Sequence, residues 1–143
     1  MAAQSPTVSV AQPSNVPVVA WIGPVAAAWL IPGAGHFLLK KTGRGALIFV
    51  SVAMMFFFGL AMGGMMFSPE KGADYLTSLI NYGGFAANLA SGAFYLLNSM
   101  FGTSTPDMAG AVHDYGTKFL VTAGLLNILA MVDTWEIATG KKD

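Results

Sequence analysis

The sequence predicts an all-α fold, an integral membrane helical bundle of about four spans whose first span is broken at Pro32-Gly33. The first observation behind this prediction is composition. Of the 143 residues, 55% are hydrophobic and only 10% are charged, whereas soluble domains carry roughly 25% charged residues. Mean hydropathy is accordingly high, at +0.61. The second observation is that apolar stretches of about 20 residues or more recur along the chain, and a helix of that length crosses a bilayer.

The chain divides into a polar tail and a membrane domain. Residues 1–17 are mostly Ser, Pro, Gln, Val and Ala and carry no charged side chain. We expect a disordered tail there, and the missing basic start makes it a poor signal peptide. Residues 18–143 form the predicted transmembrane helical domain, with spans at about 18–39, 45–67, 73–101 and 113–139.

The first span contains two helix-breaking features, Pro24 and Pro32-Gly33. Proline removes a backbone donor and clashes with the preceding turn, and glycine adds backbone freedom at the same place. The segment is therefore either one kinked span, which we favour, or two half-helices that meet at a turn.

Basic residues give an orientation. Lys40, Lys41 and Arg44 follow the first span without an acidic neighbour, and Lys141 and Lys142 follow the last span. With four spans, these two groups would lie on opposite sides of the membrane. Because cytoplasmic loops are enriched in Lys and Arg, we expect the denser loop in the cytoplasm and the N-terminus across the membrane.

Small and polar side chains recur at steps of three and four residues along the third span, which places them on one stripe of a helix. The fourth span carries a similar stripe, and antiparallel pairing would set Tyr95 against Gly116 and Asn127 against Gly84. We interpret the stripes as helix–helix contacts, and the alternative is one wall of a polar path or ligand site. The predicted helix-packing residues, including a GxxxG pair in the second span, are Gly59, Gly63, Asn81, Gly84, Asn88, Tyr95, Gly116 and Asn127.

Few side chains suit a chemical site. His36 and His113, the only histidines, are the candidate cofactor-binding residues, because imidazole could ligate the metal of a haem or chlorophyll. The alternative, which we favour, is that both are hydrogen-bonded residues near the membrane surface. No cofactor is required by the sequence, no metal site is predicted, and no nucleophile stands with a base, so we expect no enzyme. Zero net charge with scattered Lys and Arg argues against nucleic acid as a partner.

Two runs carry a family resemblance. Pro32-Gly33-Ala34-Gly35-His36-Phe37 with Gly43-Arg44-Gly45, and Gly124-Leu125-Leu126-Asn127-Ile128-Leu129-Ala130 with Asp133, resemble small uncharacterised bacterial membrane proteins related to the two-transmembrane-helix domain family. The resemblance implies a membrane fold and a place in the bacterial inner (cytoplasmic) membrane, and it implies no activity. The chain departs from that family at Leu38-Leu39-Lys40, where the family usually has Tyr-Leu-Gly, and in its two further spans.

These observations favour a non-catalytic role. We expect a small structural or accessory subunit of a larger membrane complex, one that could carry redox or pigment cofactors. Little of the chain lies outside the bilayer, so the expected partners are lipid and a larger membrane protein or further copies of the chain. The run Phe56-Phe57-Phe58 turns through more of a helix than one neighbour can cover, and we expect it to face outward. The alternative is a small oligomeric transporter or channel with an Asn-lined path.

Overall fold

The computed structural model describes residues 16–102 and 111–142. Within these ranges every regular element is a helix, which confirms the all-α class. The predicted tail lies outside the described residues except for its last two positions. The helices are α1 (Val18–Leu30), α2 (Ala34–Leu38), α3 (Thr42–Ala61), α4 (Tyr75–Ala90), α5 (Ala93–Phe101) and α6 (Ala111–Ala138).

Helices α3 and α6 form the framework and run antiparallel. Near the end of α3, Gly59 contacts Leu120 and Gly116 of α6. Val52 and Phe56 of α3 share a buried cluster with Leu120 and Ala123 of α6. By length and composition these two helices could cross a membrane, with 20 and 28 residues and mean hydropathies of 1.9 and 1.4 in their most apolar windows. The count of four spans is not confirmed.

The segment predicted as the first span folds as two helices. Its break lies at Pro32-Gly33, and Ile31 before the proline is extended, as steric conflict with the proline ring requires. Gly33 has a φ of +83°. Gly35 of α2 lies against the carbonyl oxygen of Pro24 and the side chain of Ala28. Thus α2 folds back along α1, which corresponds to the less favoured of the two predicted alternatives.

The segment predicted as the third span is also broken, at Ser91-Gly92. The amide of Asn81 in α4 donates to the Glu70 carbonyl oxygen at 3.3 Å, and the amide of Asn98 in α5 lies 3.3 Å from Met66 Sδ. Glu70 and Met66 belong to the same connection, between α3 and α4. The chain therefore enters α4 and leaves α5 at one end of the bundle, so α4 and α5 form a helical hairpin.

The predicted antiparallel pairing of the third and fourth spans is wrong for α4. Gly124 of α6 approaches the backbone of Ala87, and the Asn127 amide donates to the Ala90 carbonyl oxygen at 2.7 Å. From Ala87 to Ala90 the contact on α6 moves forward as well, from Gly124 to Asn127. The two helices therefore run parallel. The hairpin is the reason, because it returns the chain to its starting end before α6 begins.

One end of the bundle collects most of the basic residues, and we call it the basic end. His36 of α2 contacts Asp133 near the end of α6, and the Lys142 ammonium pairs with the same carboxylate. The turn after α2 carries Lys40, Lys41 and Arg44, and it therefore lies at the same end as Lys141 and Lys142. The expectation that the two groups lie on opposite sides is wrong, because α1 and α2 return to the end at which α1 began.

Candidate functional site

Helix α2 brings His36 into the bundle interior. Two glycines make this possible: a Cβ at Gly33 would lie 2.2 Å from the Gly45 carbonyl oxygen, and one at Gly35 would lie 2.4 Å from the Pro24 carbonyl oxygen. The turn thereby packs against α1, α3 and α6 at once. As a result His36 has no exposed surface, although it lies next to the exposed basic turn.

His36, Asp133, Thr134 and Lys142 form one polar group, which we call the His36 cluster. His36 Nε2 lies 2.8 Å from Asp133 Oδ2, and His36 Nδ1 lies 3.2 Å from Thr134 Oγ1. Lys142 Nζ contacts the second carboxylate oxygen of Asp133. The Thr134 hydroxyl also donates to the Ala130 carbonyl oxygen at 2.8 Å, as Thr commonly does in helices.

The contacts run from threonine to histidine to aspartate, as in a hydrolytic triad, but a substrate could not reach the threonine hydroxyl. Thr134 and His36 are both fully buried, so a substrate carbonyl has no approach to the hydroxyl. Both ring nitrogens of His36 are engaged, which leaves none to ligate a haem or chlorophyll metal. The geometry suits a structural role, in which buried hydrogen bonds hold α2 against α6.

His113, the second cofactor candidate, lies at the other end of α6. Its Nδ1 is 2.7 Å from the Gly63 carbonyl oxygen, so this nitrogen donates, and the ring is 8% exposed. His113 also lines a groove of about 630 Å³ between α4 and α6, together with Gly84 and Lys118. Within the described residues no three His, Asp or Glu side chains gather where a metal ion could be held.

A second polar group lies halfway along α6, where α1 and the α4–α5 hairpin meet. We call it the hairpin junction: Trp29, Ala90, Gly92 and Asn127, together with Asn88, which precedes Ala90 by two residues in the last turn of α4. The Asn127 amide donates to the carbonyl oxygens of Ala90, at 2.7 Å, and of Trp29, at 3.3 Å. Gly92, with a φ of +63°, fits against the end of α1, where a Cβ would lie 1.8 Å from the Trp29 carbonyl oxygen.

The junction contains amide groups that lack partners. Asn88 and Asn127 are both fully buried. Within the described residues neither Asn88 Nδ2 nor Asn88 Oδ1 has a hydrogen-bond partner, and Asn127 Oδ1 has none either. Buried side-chain polar atoms are normally hydrogen-bonded. These three atoms therefore remain available to a ligand or to water at the junction.

The other predicted packing residues are dispersed. Gly116 lies against Gly59 and Gly64, whereas a Cβ at Gly63, in the turn after α3, would have no neighbour within 4 Å. Gly84 faces Phe67 and not Asn127. Tyr95 packs edge-on against Phe85, at 6.2 Å between ring centroids, and not against Gly116.

The sequence singled out His36 but not its partners. Asp133 and Thr134 lie 97 and 98 residues further along the chain, and no local pattern reports a contact over that separation. Each partner nevertheless belongs to, or directly follows, a run that carries the family resemblance.

Comparison with known proteins gives a family and no activity. Searches of curated proteins and of solved structures gave no significant match. A family model, described as a family of unknown function, DUF6677, matches residues 23–143. The match spans α2, α3, α4, α5 and most of α1, together with the whole of α6, and so includes both polar groups. The chain belongs to the DUF6677 family.

Proposed function

We propose that this chain is a multi-pass protein of the bacterial inner (cytoplasmic) membrane and a non-catalytic accessory subunit of a larger membrane complex. Membrane insertion is supported by the surface of its two longest helices. In the most apolar stretch of each helix, only 22% of the α3 residues and 33% of the α6 residues are buried within the chain. Soluble monomers rarely expose apolar surface on this scale, and a lipid or protein environment accounts for it.

In a bilayer, α3 and α6 span the hydrocarbon core, and the other helices enter it from opposite ends. Helices α1 and α4, with 13 and 16 residues, are about 20 and 24 Å long at 1.5 Å per residue. Each is shorter than a core of about 30 Å. We infer that α1–α2 and α4–α5 are two re-entrant hairpins that meet at the hairpin junction.

The observation that carries the accessory role is the outward face of α3. Phe57 and Phe58 are 60% and 58% exposed, and Leu47 and Met54 extend the same apolar surface. Phe56 differs from the expectation for the run, since it is buried and stacks on Phe94 at 5.2 Å between centroids. The aromatic side chains of this face offer shape to a protein partner, because aromatic residues are enriched at protein interfaces.

Co-purification tests the role. A double variant with Phe57→Leu and Phe58→Leu keeps its hydrophobicity but loses the aromatic shape of this face. We expect it to insert and fold. After purification in mild detergent, mass spectrometry should no longer detect the larger partner with it. The matched control is Leu125→Val with Leu129→Val on the exposed face of α6, which should keep the partner. Wild-type chain that arrives alone, or a double variant that keeps the partner, contradicts the proposal.

The hairpin junction favours a second candidate, a small transporter. Discontinuous helices that meet in mid-membrane commonly form solute sites, and the unpartnered Asn88 lies at such a meeting point. Purified protein in liposomes, tested for uptake of radiolabelled sodium and rubidium, decides between the two roles. Saturable uptake by the chain alone would establish the transporter and displace the accessory subunit.

A further inference from the structure

We propose that the hairpin junction binds a monovalent metal cation, of the class of sodium or potassium. The site is formed by the ends of α1 and α4 and by the amides of Asn88 and Asn127. The proposal applies whether the chain works alone or within a larger complex, because every coordinating group of the site comes from this chain.

The first argument is electrostatic. Helices α1 and α4 both end at the junction, at Leu30 and Ala90, and the C-terminal end of a helix carries a partial negative charge. The Asn127 amide nitrogen binds a carbonyl oxygen from each helix end, at 3.3 and 2.7 Å. The two negative ends therefore lie within one side chain's reach of each other, and no residue of the junction is charged.

The second argument is the unsatisfied amides. The Oδ1 of Asn127 belongs to the same amide that joins the two helix ends, and it accepts no hydrogen bond within the described part of the chain. Asn88 occupies the last turn of α4 and its amide is likewise without a partner. A buried amide left unpaired destabilises the fold. Coordination of a cation by such an oxygen would offset this cost of burial.

The donor set decides the class of ion. Every oxygen available is neutral, either a backbone carbonyl or an amide oxygen. Calcium and magnesium are normally bound through carboxylates, whereas broken helices in transporters coordinate sodium through carbonyl groups at helix ends. Soft metals are disfavoured because the junction offers no sulfur or imidazole.

Thermal unfolding of the purified full chain in detergent tests the proposal. Melting is recorded in sodium, potassium, lithium, magnesium, calcium and choline chloride at constant ionic strength. We expect a saturable rise in Tm with one or more of the alkali cations over choline, since a ligand that binds the folded state stabilises it. Direct binding of radiolabelled sodium or rubidium should saturate near one ion per chain.

Asn88→Leu gives the decisive variant. Its amide has no partner to lose, so in choline the variant should be as stable as wild type or more stable, while the cation-dependent rise disappears. Asn81→Leu, two turns earlier in α4 and bonded to Glu70, is the control and should keep the rise. An equal Tm in all salts overturns the proposal, as does a rise that survives Asn88→Leu or a rise produced by magnesium or calcium alone.

Discussion

At the scale of single residues, the absence of a side chain at Gly92 permits the contact between the two hairpins. Gly92 adopts a φ of +63° and a ψ of −121°, a conformation that residues with a Cβ rarely adopt. It also lies on the end of α1, where a Cβ would meet the Trp29 carbonyl oxygen at 1.8 Å. Conformation and close approach therefore require glycine independently at this position.

Gly92→Ala should lower the free energy of unfolding by about 3 kcal/mol or more, because strain and overpacking act together. Gly83→Ala is the matched control. Gly83 lies on α4 with open space around it, and alanine there should be neutral or stabilising by about 0.5 kcal/mol. Denaturation of both variants in detergent, followed by circular dichroism, measures the difference. Equal stability of the two would show that the hairpins do not meet at Gly92.

The His36 cluster separates a buried contact from an exposed one on the same carboxylate. Asp133 accepts from the fully buried His36 on one oxygen and pairs on the other with Lys142, whose side chain is 47% exposed. Exposed ion pairs contribute little, whereas loss of one partner leaves a buried polar group unpaired.

Asp133→Ala should therefore destabilise the protein by about 2 kcal/mol, because His36 loses its acceptor. Lys142→Ala should change the free energy of unfolding by less than about 1 kcal/mol. Glu136→Ala, a carboxylate loss one turn along α6, serves as the control. A larger effect from Lys142→Ala than from Asp133→Ala in chemical or thermal denaturation would mean that the exposed pair holds the helices together.

At the scale of helices, the sequence predicts the all-α class and the break at Pro32-Gly33, because proline and glycine act locally. It misses the break at Ser91-Gly92. No proline marks that position, and glycine is common inside membrane helices. Ser91 Oγ donates to the Asn88 carbonyl oxygen at 2.5 Å, a local bond that competes with helix continuation, but serine in a small-residue stripe gives no unique signal. The direction of α4 relative to α6 follows from that missed turn.

Disulfide cross-linking tests the hairpin, and the chain has no cysteine to interfere. Met66→Cys with Asn98→Cys should cross-link under mild oxidation, because the hairpin returns α5 to the connection after α3. Thr42→Cys with Asn98→Cys should not, since Thr42 begins α3 at the basic end. A continuous helix over 73–101 would carry Asn98 to the basic end and reverse the two results on a gel.

At the scale of the whole molecule, the two hairpins place most of the basic residues at one end of the bundle. Five of the seven Lys and Arg side chains lie at the basic end, and Lys71 and Lys118 belong to the other half. Counted over four full spans, the same seven residues divide four against three, which hardly orients a protein. Because cytoplasmic segments are enriched in Lys and Arg, the proposed membrane protein would have its basic end in the cytoplasm, on a count of five basic residues against two.

This arrangement predicts that the start of α1, the turn after α2 and the C-terminus all lie on the cytoplasmic side. Single cysteines at Pro17, Thr42 and Lys141 should then react with a membrane-impermeant maleimide only after the inner membrane is opened. A cysteine at Lys71, in the connection between α3 and α4, should react in intact spheroplasts. Each position is exposed at the surface of the bundle, so burial within the protein does not mask the label. Pro17 and Thr42 labelled from opposite faces would make residues 18–39 a full span and remove the α1–α2 hairpin from the membrane architecture.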